Sequence, residues 1–303
     1  MSGFDGRIEN EQNPSDDNGA DLQIDKKLSL GYAIGATFCV FVFWIIVWSM
    51  FSIVLLMWSV DLQSADIVVF GMVHRIADGL IRGGFAILVI VVLGKIVNSN
   101  GFKYTFSTKG FKKGMFAHIG VLLLVFSMPF IVLSIPEAKL NINNAISIDQ
   151  LSFVIFHIGN SVWEEALWRG VLMTGALIRW SDTWNERNTI KKRVAFMLIC
   201  SFAFGLIHFT GGVQQMLFAT IGGVVFSAAY IYSKNLLACI IVHALCNYIL
   251  LFVSTMFYDA ELVTILVMRF FIVSIALGIL VIPFAIYLTI KAEPFSKSSK
   301  CWH

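Results

Sequence analysis

From Leu30 to Trp58 the chain runs 29 residues without a charged side chain. A helix needs about 20 apolar residues to cross the ~30 Å of a bilayer's hydrocarbon, so a run of this length reads as a spanning helix. It is also far too long for the apolar region of a cleavable signal peptide. Several comparable runs follow. Only 14% of the 303 residues are charged and 58% are hydrophobic, and the mean hydropathy is +0.80. A soluble domain carries about 25% charge. The expected fold is therefore all-α, a polytopic transmembrane helical bundle.

Eight spans are expected, at about 30–58, 76–97, 115–135, 151–178, 194–210, 214–233, 236–257 and 263–290. The second is the hardest to delimit. His74, Arg75, Asp78 and Arg82 crowd its start, and an amphipathic interfacial helix there would serve as well. Thr210-Gly211-Gly212-Val213 joins the fifth and sixth spans as a tight hairpin. Four parts follow: an acidic, solvated tail at 1–29; N-terminal helices with a basic interfacial segment at 30–114; a core at 115–257; and a last helix with its tail at 258–303. The first tail holds seven acids against three basic residues, a composition that cannot build a core.

Basic residues orient the bundle. Loop 95–114 holds five lysines, and 179–193 holds Arg179, Arg187, Lys191, Lys192 and Arg193. Lys234, and Lys291, Lys297 and Lys300 after the last span, fall on the same side, whereas the opposite connections are poor in basic residues. Both termini are then cytoplasmic, making this a multi-pass protein of the inner membrane if the chain is bacterial. The net charge of +3 gives no footing for nucleic acid, and none is expected as a partner. The five cysteines show no C-x-x-C pairing; four lie in apolar segments and read as small buried hydrophobes.

Against this background, ionisable groups inside spans stand out, because charge at mid-membrane is costly and is usually paired and functional. The fourth span contains Glu164, Glu165 and Arg169. Glu165 and Arg169 are i,i+4 and can pair on one helical face. Glu164 is turned about 100° away, so the first carboxylate is neutralised and the second is free for a task. Phe204 and His208 close the fifth span, while His243 and Asn247, again i,i+4, lie in the seventh. Glu164 is 15 residues from Arg179, and His208 is 15 from Arg193. Both lie roughly 22 Å from the basic flank, and Asn247 about 20 Å from Lys234. Three helices thus bring polar groups to one level.

A carboxylate, two histidines and an amide in a low-dielectric cavity suit water activation. An amide and an imidazole N–H suit an oxyanion. Glu164, His208 and His243 could equally ligate Zn²⁺, so a metal is compatible with the pattern and not required by it. The H-E-x-x-H, G-x-S-x-G and paired-Asp signatures are absent. His157 and Asn160 precede Glu164 by about two turns and one and fall near its face, where they could support it. His74 and His118 read as interfacial, and Trp163 and Trp168 as packing groups.

These residues, in this order, resemble the CPBP family of intramembrane proteases, also called the CAAX protease/bacteriocin-processing or Abi family. Its E-E-x-x-x-R helix corresponds to Glu164, Glu165 and Arg169; F-x-x-x-H to Phe204 and His208; and H-x-x-x-N to His243 and Asn247. The similarity spans roughly 115–257. It implies that Glu164 and His208 activate water for peptide hydrolysis, that His243 and Asn247 stabilise the oxyanion, and that Glu165 and Arg169 order the site. It also implies a membrane-associated peptide or protein substrate, lipid-modified in part of the family, and leaves a metallo- or glutamate-type mechanism open. A proton-coupled transporter and a non-catalytic scaffold that keeps the fold are the competing readings. Against the first stands the lack of an internal repeat; against the second stand the intact motifs.

Overall fold

The computed structural model describes residues 30–47, 64–96, 110–123, 148–256 and 280–294, with a few isolated positions besides. The acidic tail, most of the expected third span, the first part of the last one and the C-terminal tail lie outside the described residues. The helices are α1 (Leu30–Val47) and α9 (Leu280–Lys291), with α2 (Ser64–Ile96), α3 (Phe111–Ala117), α4 (Ile148–Glu165), α5 (Thr174–Arg179), α6 (Arg187–Leu206), α7 (Gly212–Ser233) and α8 (Leu236–Met256) between them. Among the described residues four helices are long and apolar enough to cross a membrane: Leu30–Val47, Val69–Leu93, Phe209–Ser233 and Leu236–Val253. Large apolar side chains such as Phe38, Met50, Val73 and Leu88 face outward, as the lipid-facing side of a spanning helix requires.

Three findings refine the expectations. The second helix starts at Ser64, twelve residues before the expected boundary, so Arg75, Asp78 and Arg82 sit inside a continuous 33-residue helix. The fourth span continues from α4 through a π-helical segment, Ala166–Met173, into α5. Cys200, Cys239 and Cys246 are buried, while Cys39 is exposed.

The helices pack in a few intimate pairs. α2 runs along α4, α6 and α7 form a hairpin, α8 lies on α4, and α3 touches both α7 and α8. The α2–α4 crossing is closed by glycine. A Cβ at Gly79 would stand 2.8 Å from the Ile155 carbonyl oxygen, and one on Gly159 would collide with the Gly79 carbonyl. Small residues let helix backbones meet this closely, the device that drives helix association in lipid. The α6–α7 turn is a single 3₁₀ turn, Phe209–Gly211. Gly212 follows it at φ +92°, a left-handed value that side chains resist. The α7–α8 turn uses Lys234 at φ 57°. Asn235 then caps α8, its Oδ1 accepting from the Ala238 N–H at 2.8 Å.

One end of the bundle gathers the basic flanks. The guanidinium of Arg193 lies 3.8 Å above the Trp184 ring, and the Lys234 ammonium lies 4.6 Å from the same ring. Trp184 donates its indole N–H to the Ala292 carbonyl at 2.6 Å. The start of α6, the end of α7 and the residue just after α9 therefore meet around one indole.

Candidate active site

Glu164 and Glu165 are the last residues of α4, at its junction with the π-helical segment. The rotation between neighbours on a helix sends them to different surroundings. Glu165 is 0% exposed and Arg169 is 1% exposed, and the arginine Nη1 donates to Glu165 Oε1 at 3.1 Å. Its Nη2 donates to the Gly223 carbonyl of α7 at 3.2 Å, and its guanidinium lies 4.9 Å from the Phe204 ring centroid. Two charges this deep are tolerable only because each answers the other; Glu165 Oε2 and Arg169 Nε are buried without a hydrogen-bond partner among the described residues.

Glu164 faces the other way, into a cavity of about 1010 Å³. Asn160, one turn earlier, donates to its Oε1 at 2.6 Å. His208 Nε2 stands 3.7 Å from Oε1, and His243 Nε2 stands 3.5 Å from Oε2. Both imidazoles are oriented by their other nitrogen. His243 Nδ1 donates to Glu165 Oε1 at 2.8 Å, and His208 Nδ1 donates to the Phe204 carbonyl at 2.8 Å. Those partners are acceptors only, so the proton on each Nδ1 is assigned and each Nε2 is turned to Glu164. Phe226 stacks on His243 with ring centroids 5.1 Å apart, which holds the imidazole plane. His243 thus bridges the two carboxylates, linking the buried ion pair to the group that faces the cavity.

The remaining expected residues fall as follows. Asn247 lines the cavity, but its amide donates to Ser161 at 3.2 Å; with two N–H bonds, it keeps one for another acceptor. His157 lines the cavity as well. Trp163 packs against Trp44 and Trp168 against Phe204, both with ring centroids 5.9 Å apart. His118 does not sit at an interface. It is wholly buried, bonded through Nδ1 to the Gly114 carbonyl at 2.8 Å and packed on Phe226. Gly223 and Phe226 carry no sequence signal that would have marked them. Asp78 and Arg82 did carry one. They recur four residues apart in an apolar segment, and Arg82 lies in the cavity wall.

Among the described residues no three His, Cys, Asp or Glu side chains are arranged to hold a metal ion. Most of the cavity lining is apolar, with Phe156, Phe218, Val225 and Leu250 among its residues, and Glu164 and Arg82 are its charged members.

Residues 147–249 match a family described as type II CAAX prenyl endopeptidase, Rce1-like. The matched segment begins one residue before α4 and ends inside α8, so it contains Glu164 on α4, His243 and Asn247 on α8, and His208, which lies in the turn just past the end of α6. No curated protein and no solved structure matches the chain.

Proposed function

We propose that the chain is an intramembrane endopeptidase of the CAAX protease type in which Glu164 activates water, a reading supported by the family match over residues 147–249. The observation that carries this reading is the position of Glu164 at the cavity wall, facing Nε2 of His208 and His243 at 3.7 and 3.5 Å. A buried carboxylate facing two imidazoles whose other nitrogens are already engaged is arranged for proton transfer.

Glu164 takes a proton from a water held with His208. The water oxygen forms a bond to the scissile carbonyl carbon, and the carbonyl electrons move onto its oxygen. That oxyanion accepts hydrogen bonds from the free N–H of Asn247 and from His243. Because His243 Nδ1 is committed to Glu165, its contribution comes from Nε2, protonated for that step. Collapse breaks the C–N bond, and the proton on Glu164 passes to the leaving amine. The products are a new carboxylate and a new amine. Arg169 holds Glu165, and Glu165 holds His243.

The apolar wall favours a membrane-associated peptide, including one that carries a lipid. Eight spans with both termini cytoplasmic would open the cavity toward the basic end of the bundle or toward the bilayer. If the chain is bacterial, prenylated proteins are not the expected substrate, and peptide maturation, bacteriocin immunity or regulated membrane proteolysis are the roles that follow. The test is purified protein in proteoliposomes, offered lipidated and unlipidated membrane peptides, with fragments read by mass spectrometry. Discrete internal cleavage of either class supports the proposal. Absence of cleavage together with proton uptake that depends on Glu164 would instead favour the transporter.

A further inference from the structure

The matched segment leaves one side of Glu164 to a helix outside it. On α2, Arg82 donates through Nε to Asp78 Oδ1 at 2.6 Å and through Nη1 to Asn160 Oδ1 at 2.9 Å. Asn160 in turn donates through Nδ2 to Glu164 Oε1 at 2.6 Å. Asp78 is buried, and Arg82 lies in the cavity wall.

An asparagine can present either end of its amide to a neighbour. Here both neighbours dictate the same choice. A guanidinium only donates, so it demands Oδ1, and a carboxylate only accepts, so it demands Nδ2. With Arg82 in place, Asn160 can face Glu164 only as a donor. Without it, Glu164 alone still selects Nδ2, but the amide loses its second anchor and is free to shift, which weakens a charge-assisted hydrogen bond to the carboxylate. The ring of Trp44, 4.4 Å from the guanidinium carbon, and that of Phe156, 5.5 Å away, hold Arg82 in its place. The Gly79–Gly159 crossing brings the two helices close enough for the contact.

We infer that Arg82 is a positioning residue of the active site, fixing the Asn160 amide so that Asn160 orients the Glu164 carboxylate. The role rests on Glu164 being the group that activates water. Asp78 fixes Arg82 and balances its charge. A merely structural tie between α2 and α4 would look the same in a stability measurement, so the test must read Glu164 itself.

The experiment has two readouts on Arg82→Ala, Arg82→Lys, Asn160→Ala and the Arg82→Ala/Asn160→Ala double variant. Asp78→Asn/Arg82→Leu is added because it removes the ion pair as a pair and leaves no lone buried charge. The first readout needs no substrate: the infrared carboxyl band of Glu164, identified by its loss in Glu164→Gln. Arg82→Ala, or Asp78→Asn/Arg82→Leu should the single variant not fold, is expected to move that band as Asn160→Ala does, and Arg82→Lys to restore it in part. The second readout is turnover. Arg82→Ala is expected to lower kcat at least about ten-fold with KM within about two-fold, and to add no more than about two-fold in the Asn160→Ala background. A Glu164 band unmoved by loss of Arg82, or a full Arg82 effect that persists without Asn160, overturns the inference. Undiminished turnover in Glu164→Gln would defeat the catalytic reading instead, while the band would still decide the linkage.

Discussion

Glu165 and Arg169 hold their charges with almost no exposure to solvent, and that sets what their substitution must cost. Removing one member of a buried pair strands the other, at about 3–5 kcal/mol. Arg169→Met is therefore expected to lower stability by about that amount in thermal or denaturant unfolding, and also to free Glu165 and the His243 it orients. A loss below about 1 kcal/mol would mean that the pair is not buried as described. The division of labour between the adjacent glutamates was readable from the sequence, because rotation along a helix separates them. The placement of Asn247 was not. Periodicity puts it on the face of His243, but its bond to Ser161 at 3.2 Å depends on how α8 registers against α4. The donor set leads to a second expectation. Purified protein treated with chelator, its metal content measured, should keep its turnover; loss of turnover restored by Zn²⁺ would place a metal among Glu164, His208 and His243.

At the level of elements, the site depends on backbones that touch. Gly159 has no room for a methyl group against the Gly79 carbonyl, so Gly159→Ala must push α2 from α4 or fail to fold. Overpacking of this kind costs typically 1–3 kcal/mol. The variant is expected to melt earlier and to lose turnover through the broken Arg82–Asn160 contact, whereas Gly84→Ala, which meets nothing nearby, should leave stability unchanged. Equal stability of the two variants would contradict the crossing. Part of this element was legible: residues 75, 78 and 82 recur at helical spacing on one face. Their number suggested an interface with lipid headgroups. Their partners, Ser152 for Arg75 at 2.9 Å and Asn160 for Arg82 at 2.9 Å, lie 77 and 78 residues away, so only the assembled pair of helices shows that the stripe faces inward. The π-helical segment that carries Arg169 has no sequence signature at all; such segments frequently mark functional sites.

On the scale of the whole molecule, α4, α8 and the turn after α6 deliver Glu164, His243 and His208 to one cavity, and Arg193 and Lys234 meet around Trp184 at one end of the bundle. With eight spans, single cysteines placed in 95–114 and 179–193 and near both termini should all react with an impermeant reagent from the cytoplasmic side, and one placed near Asp259 should not. Labelling of 95–114 and 179–193 from opposite sides would break the topology. The central claim concerns one carboxylate, and the measurement that meets it most directly is kcat for Glu164→Gln against the unaltered protein on one cleaved membrane peptide. Glutamine keeps the shape and cannot take a proton, so kcat is expected to fall at least about 100-fold, in line with what a positioned general base contributes, with the melting temperature preserved. Turnover within about two-fold of the unaltered protein would contradict the role given to Glu164.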